Sequence, residues 1–272
     1  MVSPQATSKG KEVVLLVLIT IIGTGLRIYR LGYQSLWYDE ILTVFSSHGP
    51  LAHVLFQTEF KTNILPFYYL VTHAFMALGN QEYFVRIPAV IFGALTIPLL
   101  YYSVRQWFDS QVALWSSVLL ALSPFHIFYS QEARPYTMFV FLCLLTFYLL
   151  QLSLENKDSR LLKLGVAVVG ASTFYCHITA IPFLGFLGIC VVILVPQNEW
   201  RKWIPTFLGM GILLLPALYR AYTIQVTLQG WQDFDPQSLL NALWAFSTGF
   251  SFGVQGIAVY LPESLRSIPE HF

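Results

Sequence analysis

The chain has 272 residues, of which 56% are hydrophobic and only 11% are charged. Soluble globular domains have about 25% charged residues, so this composition excludes a soluble globule and predicts a multi-pass membrane protein. The formal net charge is +1 and no stripe of clustered Lys and Arg is present, which argues against a nucleic-acid partner because such partners require a basic face.

Seven apolar segments are long enough to cross a bilayer as helices, which takes roughly 17 to 25 residues. They lie at about 12–29, 86–105, 111–129, 136–153, 162–178, 180–195 and 202–219. The first segment follows a short basic N-terminus that resembles a signal sequence, but no small-residue cleavage site comes after it, so we predict an uncleaved span. The predicted fold class is an all-α multi-pass membrane protein with about seven transmembrane helices.

An eighth apolar segment, 64–79, is tested by the distribution of positive charge, because short cytoplasmic loops are enriched in Lys and Arg. With the N-terminus in the cytoplasm and 64–79 kept outside, eight of the fifteen basic residues fall in cytoplasmic pieces. If 64–79 crossed the membrane, the basic clusters at 157–163 and 201–202 would face outward. The segment is also short and contains His73, so we predict an amphipathic helix on the outer membrane surface.

This orientation brings nine ionisable residues to the outer face of a plasma (inner) membrane protein. They are Asp39, Glu40, Lys61, Glu82, Arg86, Glu132, Arg134, His177 and Arg220. Ionisable groups at membrane depth are costly, and they mark a functional cavity when they converge. A single outward-facing polar site is therefore predicted. The alternative is that each side chain extends separately to the lipid headgroups.

The first outer loop, about 30–85, contains two adjacent acids, Asp39 and Glu40, followed by an amphipathic run. Adjacent helical residues point about 100° apart, so both carboxylates cannot face one reacting atom equally. Two interpretations of Asp39 stay open at this point: an N-cap that accepts a backbone N–H at the start of a short helix, or a catalytic carboxylate. The many aromatic residues of this loop predict that it lies along the membrane surface.

Residues 1–220 are predicted to form one transmembrane module, and 221–272 an outer-face loop with short helices near 236–246. The three cysteines, Cys143, Cys176 and Cys190, fall inside apolar stretches without paired or metal-ligand spacing. This pattern indicates buried small hydrophobic residues. No residues have convincing ligand spacing for a metal ion, so the sequence leaves the metal unknown.

Five short motifs occur in order along the chain, all on the predicted outer side. They are Trp37-Tyr38-Asp39-Glu40, Pro66-Phe67-Tyr68-Tyr69, Val85-Arg86-Ile87-Pro88, Gln131-Glu132-Ala133-Arg134-Pro135-Tyr136 and Tyr175-Cys176-His177. The set resembles the motifs of the GT-C glycosyltransferases, in particular glycosyltransferase family 39, which includes the protein O-mannosyltransferases and is similar to the lipid A aminoarabinose transferases. The second motif departs from the family's His-Pro-Pro-Leu-Tyr-Tyr stretch, because Ile64 and Leu65 stand where the His and the first Pro would be.

The resemblance implies transfer of a sugar, with inversion at the anomeric carbon, from a polyprenyl-phosphate donor to an acceptor on the outer face. The acceptor classes it implies are a glycolipid, a protein or a cell-wall polymer. It implies that Asp39 is the general base and that Glu40 assists it. Positive charge would hold the leaving phosphate, and the implied residues are Arg86, Arg134 and His177. The implied acceptor-binding or supporting residues are Glu132, Tyr68, Tyr69 and Tyr136. Some relatives use a divalent metal and many do not.

Two other functions remain as alternatives. Converging charges near a membrane face also suit a transporter, although the middles of the predicted spans are almost wholly apolar. A non-catalytic membrane protein that binds a lipid carrier is the second alternative. The chain is also shorter than the family members it resembles, so we expect it to be a fragment or the shared module only.

Overall fold

The computed structural model describes residues 4–56, 65–79 and 81–223. Every regular element within these ranges is a helix, which agrees with the predicted all-α class. The helices are α1 (Pro4–Ile28), α2 (Tyr38–Ser47), α3 (Leu51–Phe56), α4 (Phe67–Met76), α5 (Glu82–Arg105), α6 (Ser110–Leu122), α7 (Pro124–Ser130), α8 (Tyr136–Glu155), α9 (Arg160–Cys176), α10 (Ala180–Leu194), a 3₁₀ helix (Gln197–Lys202) and α11 (Ile204–Thr223). Lys61 and the predicted 221–272 loop, apart from the end of α11, lie outside the described residues.

The seven apolar segments predicted from the sequence are all helical. Among the described residues, α5 and α8 are long and apolar enough to cross a membrane, and α6 with α7 gives a third if the pair forms one bent span. The described part of the chain is therefore all-helical, and this membrane protein has two to three candidate spans there by this criterion. The number seven stays a prediction.

The segment predicted as one span, 111–129, forms two helices bent by 58°. The break falls at Ser123 and Pro124, because a proline lacks the N–H that continues a helix and disfavours helical geometry in the residue before it. Ser123 is extended (φ −62°, ψ 114°), and its hydroxyl accepts the His126 N–H at 3.3 Å. Ser123 thus ends α6 and caps α7.

Hydrogen bonds join the C-terminal end of α1 to the residues at the ends of α6 and α7. Arg27 of α1 is fully buried, and its guanidinium donates to the carbonyl oxygens of Leu120 and Ala121 at 3.1 Å each. These carbonyls belong to the last turn of α6, where the helix dipole favours a positive charge. Gln131, directly after α7, donates in return to the carbonyl oxygens of Arg27 at 3.2 Å and Tyr29 at 2.8 Å. This exchange fixes the start of the loop between α7 and α8.

The central helices α5 and α8 are joined by hydrogen bonds near both ends. The Thr137 hydroxyl donates to the Ala89 carbonyl at 3.0 Å at one end. At the other end, Gln151 accepts from the Ser103 hydroxyl at 2.7 Å and donates to the Ser103 carbonyl at 3.1 Å. Small and polar residues at such contacts let membrane helices approach closely. The beginning of α8 is thereby held beside the beginning of α5.

The loop between α1 and α5, which is predicted to lie on the outer side, contributes a layer of short helices that packs on one end of this bundle. Helix α4 has 10 residues and is about 15 Å long, half of a bilayer core of about 30 Å, so it is too short to cross. It packs against α2 and α5, and His73 contacts the Ser47 carbonyl oxygen at 2.8 Å. The layer places the acids of α2 against the ends of α5 and α8.

Candidate functional site

Asp39 and Arg134, predicted to share one site, are neighbours in the structure. Asp39 Oδ2 lies 3.6 Å from Arg134 Nη2, and the Arg134 guanidinium also donates to the Asp39 carbonyl at 3.4 Å. Their side chains are 31% and 18% exposed, so both can be reached from outside. The 3.6 Å separation makes an ion pair but not a hydrogen bond, which leaves N–H groups of Arg134 and an oxygen of Asp39 available to a ligand.

The interpretation of Asp39 as an N-cap is wrong. Helix α2 begins at Tyr38, and the extended residue before it, Trp37, occupies the N-cap position. Asp39 therefore lies in the first helical turn, where the helix dipole favours a negative charge. Glu40 accepts the Trp37 N–H at 3.3 Å, so the backbone group at the cap is satisfied without Asp39.

Glu40 and Arg86 form a buried, two-pronged ion pair. Arg86 Nε and Nη2 lie 2.8 Å and 2.7 Å from the two Glu40 oxygens, and the Ala133 N–H donates to Glu40 at 2.8 Å. Glu40 is 0% and Arg86 5% exposed. The two adjacent acids thus diverge as the helical geometry requires: Asp39 faces outward and Glu40 faces the core.

All three nitrogen atoms of the Arg86 guanidinium donate hydrogen bonds to described residues. Besides Glu40, its guanidinium donates to three carbonyl oxygens of the chain between α1 and α2, those of Leu31, Gln34 and Ser35. The pair therefore ties together the chain between α1 and α2, the start of α5 and the loop before α8. Arg86 and Glu40 lie beneath Asp39 and not beside it on the surface.

Glu132 lies in the loop between α7 and α8, next to the residues that bind Glu40. Burial, with a smaller contribution from the charge of Glu40, raises the pKa of Glu132 to about 7. Its Oε2 is buried without a hydrogen-bond partner among the described residues. This carboxyl can therefore hold or release a proton near neutral pH.

The raised pKa of Glu132 predicts a specific dependence of stability on pH. Between its ordinary value of 4.5 and about 7, the folded protein holds a proton that the unfolded chain has released, so this residue lowers stability progressively as pH rises through that window. We expect Glu132→Gln to remove that contribution, so the melting temperature of the variant falls less between pH 4.5 and pH 7 than that of the wild type. Parallel pH profiles for the two proteins would contradict the assignment.

His177 follows α9 and reaches the Arg134 region through Tyr136. The Arg134 guanidinium carbon lies 5.6 Å from the centre of the Tyr136 ring, which lies 5.9 Å from the His177 ring. His177 Nδ1 contacts the Thr179 hydroxyl at 2.8 Å. The imidazole therefore lies beside the Tyr136 ring, on the side that faces Arg134.

The two tyrosines predicted to support the acceptor differ in position. Tyr68 is 1% exposed and belongs to a core cluster with Met138 and Leu142. Tyr69 is partly buried, and its ring meets that of Tyr68 edge-on at 6.4 Å. Tyr68 thus packs α4 onto α8, and only Tyr69 retains some exposure.

The structure brings Asp39, Arg134, Tyr136 and His177 into one chain of contacts, with Glu132 in the adjoining loop. Sequence reasoning missed the backbone N–H of Ala133 and the side chains of Arg27 and Gln131, which fix this loop. An alanine amide has no signature in sequence, whereas Arg27, a charge inside an apolar segment, is a signal that could have been used. In the described ranges, no three His, Cys, Asp or Glu side chains are grouped to hold a metal ion.

The comparisons with known proteins identify one family. A family model described as dolichyl-phosphate-mannose-protein mannosyltransferase matches residues 65–220, which is more than half of the chain. The matched region contains Arg86, Glu132, Arg134 and His177, whereas Asp39 precedes it. No curated protein is similar enough to this chain to count as a match.

Proposed function

The chain belongs to the dolichyl-phosphate-mannose-protein mannosyltransferase family of membrane glycosyltransferases, and on that premise we propose that it transfers a sugar from a polyprenyl-phosphate donor to an acceptor hydroxyl. The observation that carries the proposal is the partly exposed pair of Asp39 and Arg134, 3.6 Å apart at one end of the bundle. The name of the family makes a dolichyl-phosphate-linked mannose the first donor to test. The acceptor is a glycolipid, a protein or a cell-wall polymer.

In the proposed reaction, Asp39 is the general base. The acceptor oxygen attacks the anomeric carbon from the side opposite the phosphate, so the configuration inverts. The bond between that carbon and the phosphate oxygen breaks, and the polyprenyl phosphate leaves with the electron pair. Asp39 takes the proton of the acceptor hydroxyl, which is a weak nucleophile at neutral pH without such a base.

Arg134 is proposed to hold the leaving phosphate. A planar guanidinium matches phosphate oxygens with two parallel N–H bonds, and negative charge grows on the phosphate as the bond breaks. His177 and Tyr136 line the same side as Arg134, and we assign them hydrogen bonding to the phosphate and contact with the sugar. Glu132 and Tyr69 are assigned to the acceptor side.

Glu40 and Arg86 receive a different role from the one that the resemblance implies. Their donors and acceptors are used by each other and by backbone atoms. We propose that they hold the loop of Asp39 against the loop of Arg134, and that neither touches the substrate.

The proposed orientation places seven spans in the plasma membrane, the N-terminus in the cytoplasm and the Asp39 site on the outer face. Two ion pairs support it, because they join the basic loops at the far end of the bundle: Lys157 with Glu199 at 3.5 Å and Lys202 with Asp158 at 3.3 Å. Both basic loops then lie on one side, as the distribution of Lys and Arg requires.

The function is tested by measuring polyprenyl-phosphate release from a lipid-linked mannose by the purified full chain in liposomes that contain cell-membrane extract as the acceptor source. We expect Arg134→Gln to weaken donor use by about 10- to 100-fold, the range for a hydrogen bond to a charged group. Arg134→Lys should lose less, because it keeps the charge but not the fork.

The matched control is Arg30→Gln, since Arg30 lies on the same loop layer with its guanidinium over the Tyr33 ring at 4.7 Å. It should behave as the wild type. Equal rates for Arg134→Gln and wild type would refute the phosphate-binding role. A wild type that binds the donor without consuming it would favour the non-catalytic lipid-carrier-binding alternative.

A further inference from the structure

A sizeable cavity lies away from the Asp39 site. It is a groove of about 920 Å³ between α9 and α11. Its mouth is formed by Arg160, Lys163 and Lys202 with Asp158. Arg160 begins α9 and His177 follows its last residue, so the mouth lies about 25 Å along the helix from the end that bears His177.

The walls of this groove are apolar along its length. They include Leu164, Ala167 and Val168 of α9 and Pro205, Gly209 and Ile212 of α11. From Arg160 to Val168 the groove follows eight helical steps, about 12 Å, which is close to the depth of one bilayer leaflet of about 15 Å. A Cβ placed on Gly209 would meet no atom within 4 Å, so the space beside it is open.

The mouth has surplus positive charge, with three cations against one carboxylate. Lys202 Nζ lies 3.3 Å from Asp158, whose side chain is 94% exposed, and such a surface pair is weak. Lys163 lies over the Trp203 ring, 5.4 Å from its centre, and its ammonium donates to the Lys157 carbonyl oxygen. The Arg160 side chain is exposed and makes no hydrogen bond or ion pair with any residue that the structure describes. An anion at the mouth would complete this arrangement.

We propose that the groove binds one anionic phospholipid of the bilayer, with its phosphate between Arg160, Lys163 and Lys202 and an acyl chain along the apolar wall. Basic pockets between membrane helices on the cytoplasmic side recognise anionic headgroups in this way. The donor carrier is the less suitable occupant, because its phosphate is required at the opposite end, beside Arg134. This choice of occupant rests on the proposed function, but the groove contains no residue of the Asp39 site, so its test does not depend on transfer activity.

The test measures lipid retention by native mass spectrometry after the full chain is purified from nanodiscs of equal phosphatidylglycerol and phosphatidylcholine. We expect the wild type to retain one phosphatidylglycerol in preference to phosphatidylcholine. In the triple variant Arg160→Gln, Lys163→Gln and Lys202→Gln, this preference should fall about 100-fold, because each cation near a headgroup contributes about a fivefold preference. Gly209→Leu, which fills the groove and keeps all three cations, should also lose the retained lipid.

A matched control removes three other cations outside the groove, through Lys157→Gln, Arg201→Gln and Arg105→Gln, and should retain phosphatidylglycerol as the wild type does. Equal loss in this control would show a general surface effect and overturn the proposal. The proposal would also be overturned if the wild type retained both lipids equally or retained neither. It would be overturned as well if equimolar polyprenyl phosphate displaced phosphatidylglycerol.

Discussion

Asp39→Asn is expected to lower the rate of sugar transfer by about 10²- to 10⁴-fold, the usual contribution of a positioned general base. The amide has nearly the shape of the carboxylate, but it cannot take the proton of the acceptor hydroxyl. Asp39 does not cap α2. Its carboxylate lies 3.6 Å from Arg134, which is too far for a hydrogen bond, and its side chain is 31% exposed. The fold should therefore tolerate the change, so we expect the transfer rate to fall while the amount of folded protein stays the same.

The measurement is polyprenyl-phosphate release at saturating donor, with the melting temperature of each variant recorded in parallel. Asp109→Asn is the matched control, because Asp109 caps α6 by accepting the Val112 N–H at 2.9 Å and asparagine caps as well as aspartate. It makes the same chemical change away from the site and should retain full activity. If Asp39→Asn transfers sugar as fast as the wild type, Asp39 is not the base.

The helices themselves followed from the sequence because apolar runs bounded by polar residues have few other solutions in a membrane. The meeting of Asp39 with Arg134 was also predictable, because charge counting placed both on one face. The bend at Pro124 was missed although its signal is local. The sequence prediction places Pro124 inside one span, whereas the preceding Ser123 ends one helix and caps the next.

The different positions of the two adjacent acids could be predicted only in part. Helical geometry required that Asp39 and Glu40 diverge, but it gave no reason for Glu40 to be the buried one. That outcome depends on Arg86, 46 residues away, and on the Ala133 N–H, 93 residues away. Partners of this kind are set by packing, and backbone donors have no residue type by which a sequence could reveal them.

Breaking the buried pair of Glu40 and Arg86 is expected to be the most destabilising single change, at about 3 to 5 kcal/mol. In Glu40→Gln the Arg86 charge stays buried with one neutral oxygen in place of a carboxylate. Arg86→Met leaves the Glu40 charge uncompensated and removes the donors to three loop carbonyls. Either variant should melt at a much lower temperature and lose the ordered loop of Asp39.

The double variant Glu40→Leu with Arg86→Met separates this clamp from a direct catalytic role. It leaves no buried charge, so we expect it to recover part of the stability that each single variant loses, as replacements of buried ion pairs by apolar residues commonly do. Because the double variant keeps Asp39 and Arg134, the fraction that remains folded should bind donor with near wild-type affinity. A double variant that regains its melting temperature and keeps the Asp39 loop as protected from proteolysis as in the wild type, but still fails to bind donor, would show that Glu40 or Arg86 contacts the substrate, and the clamp assignment would be wrong.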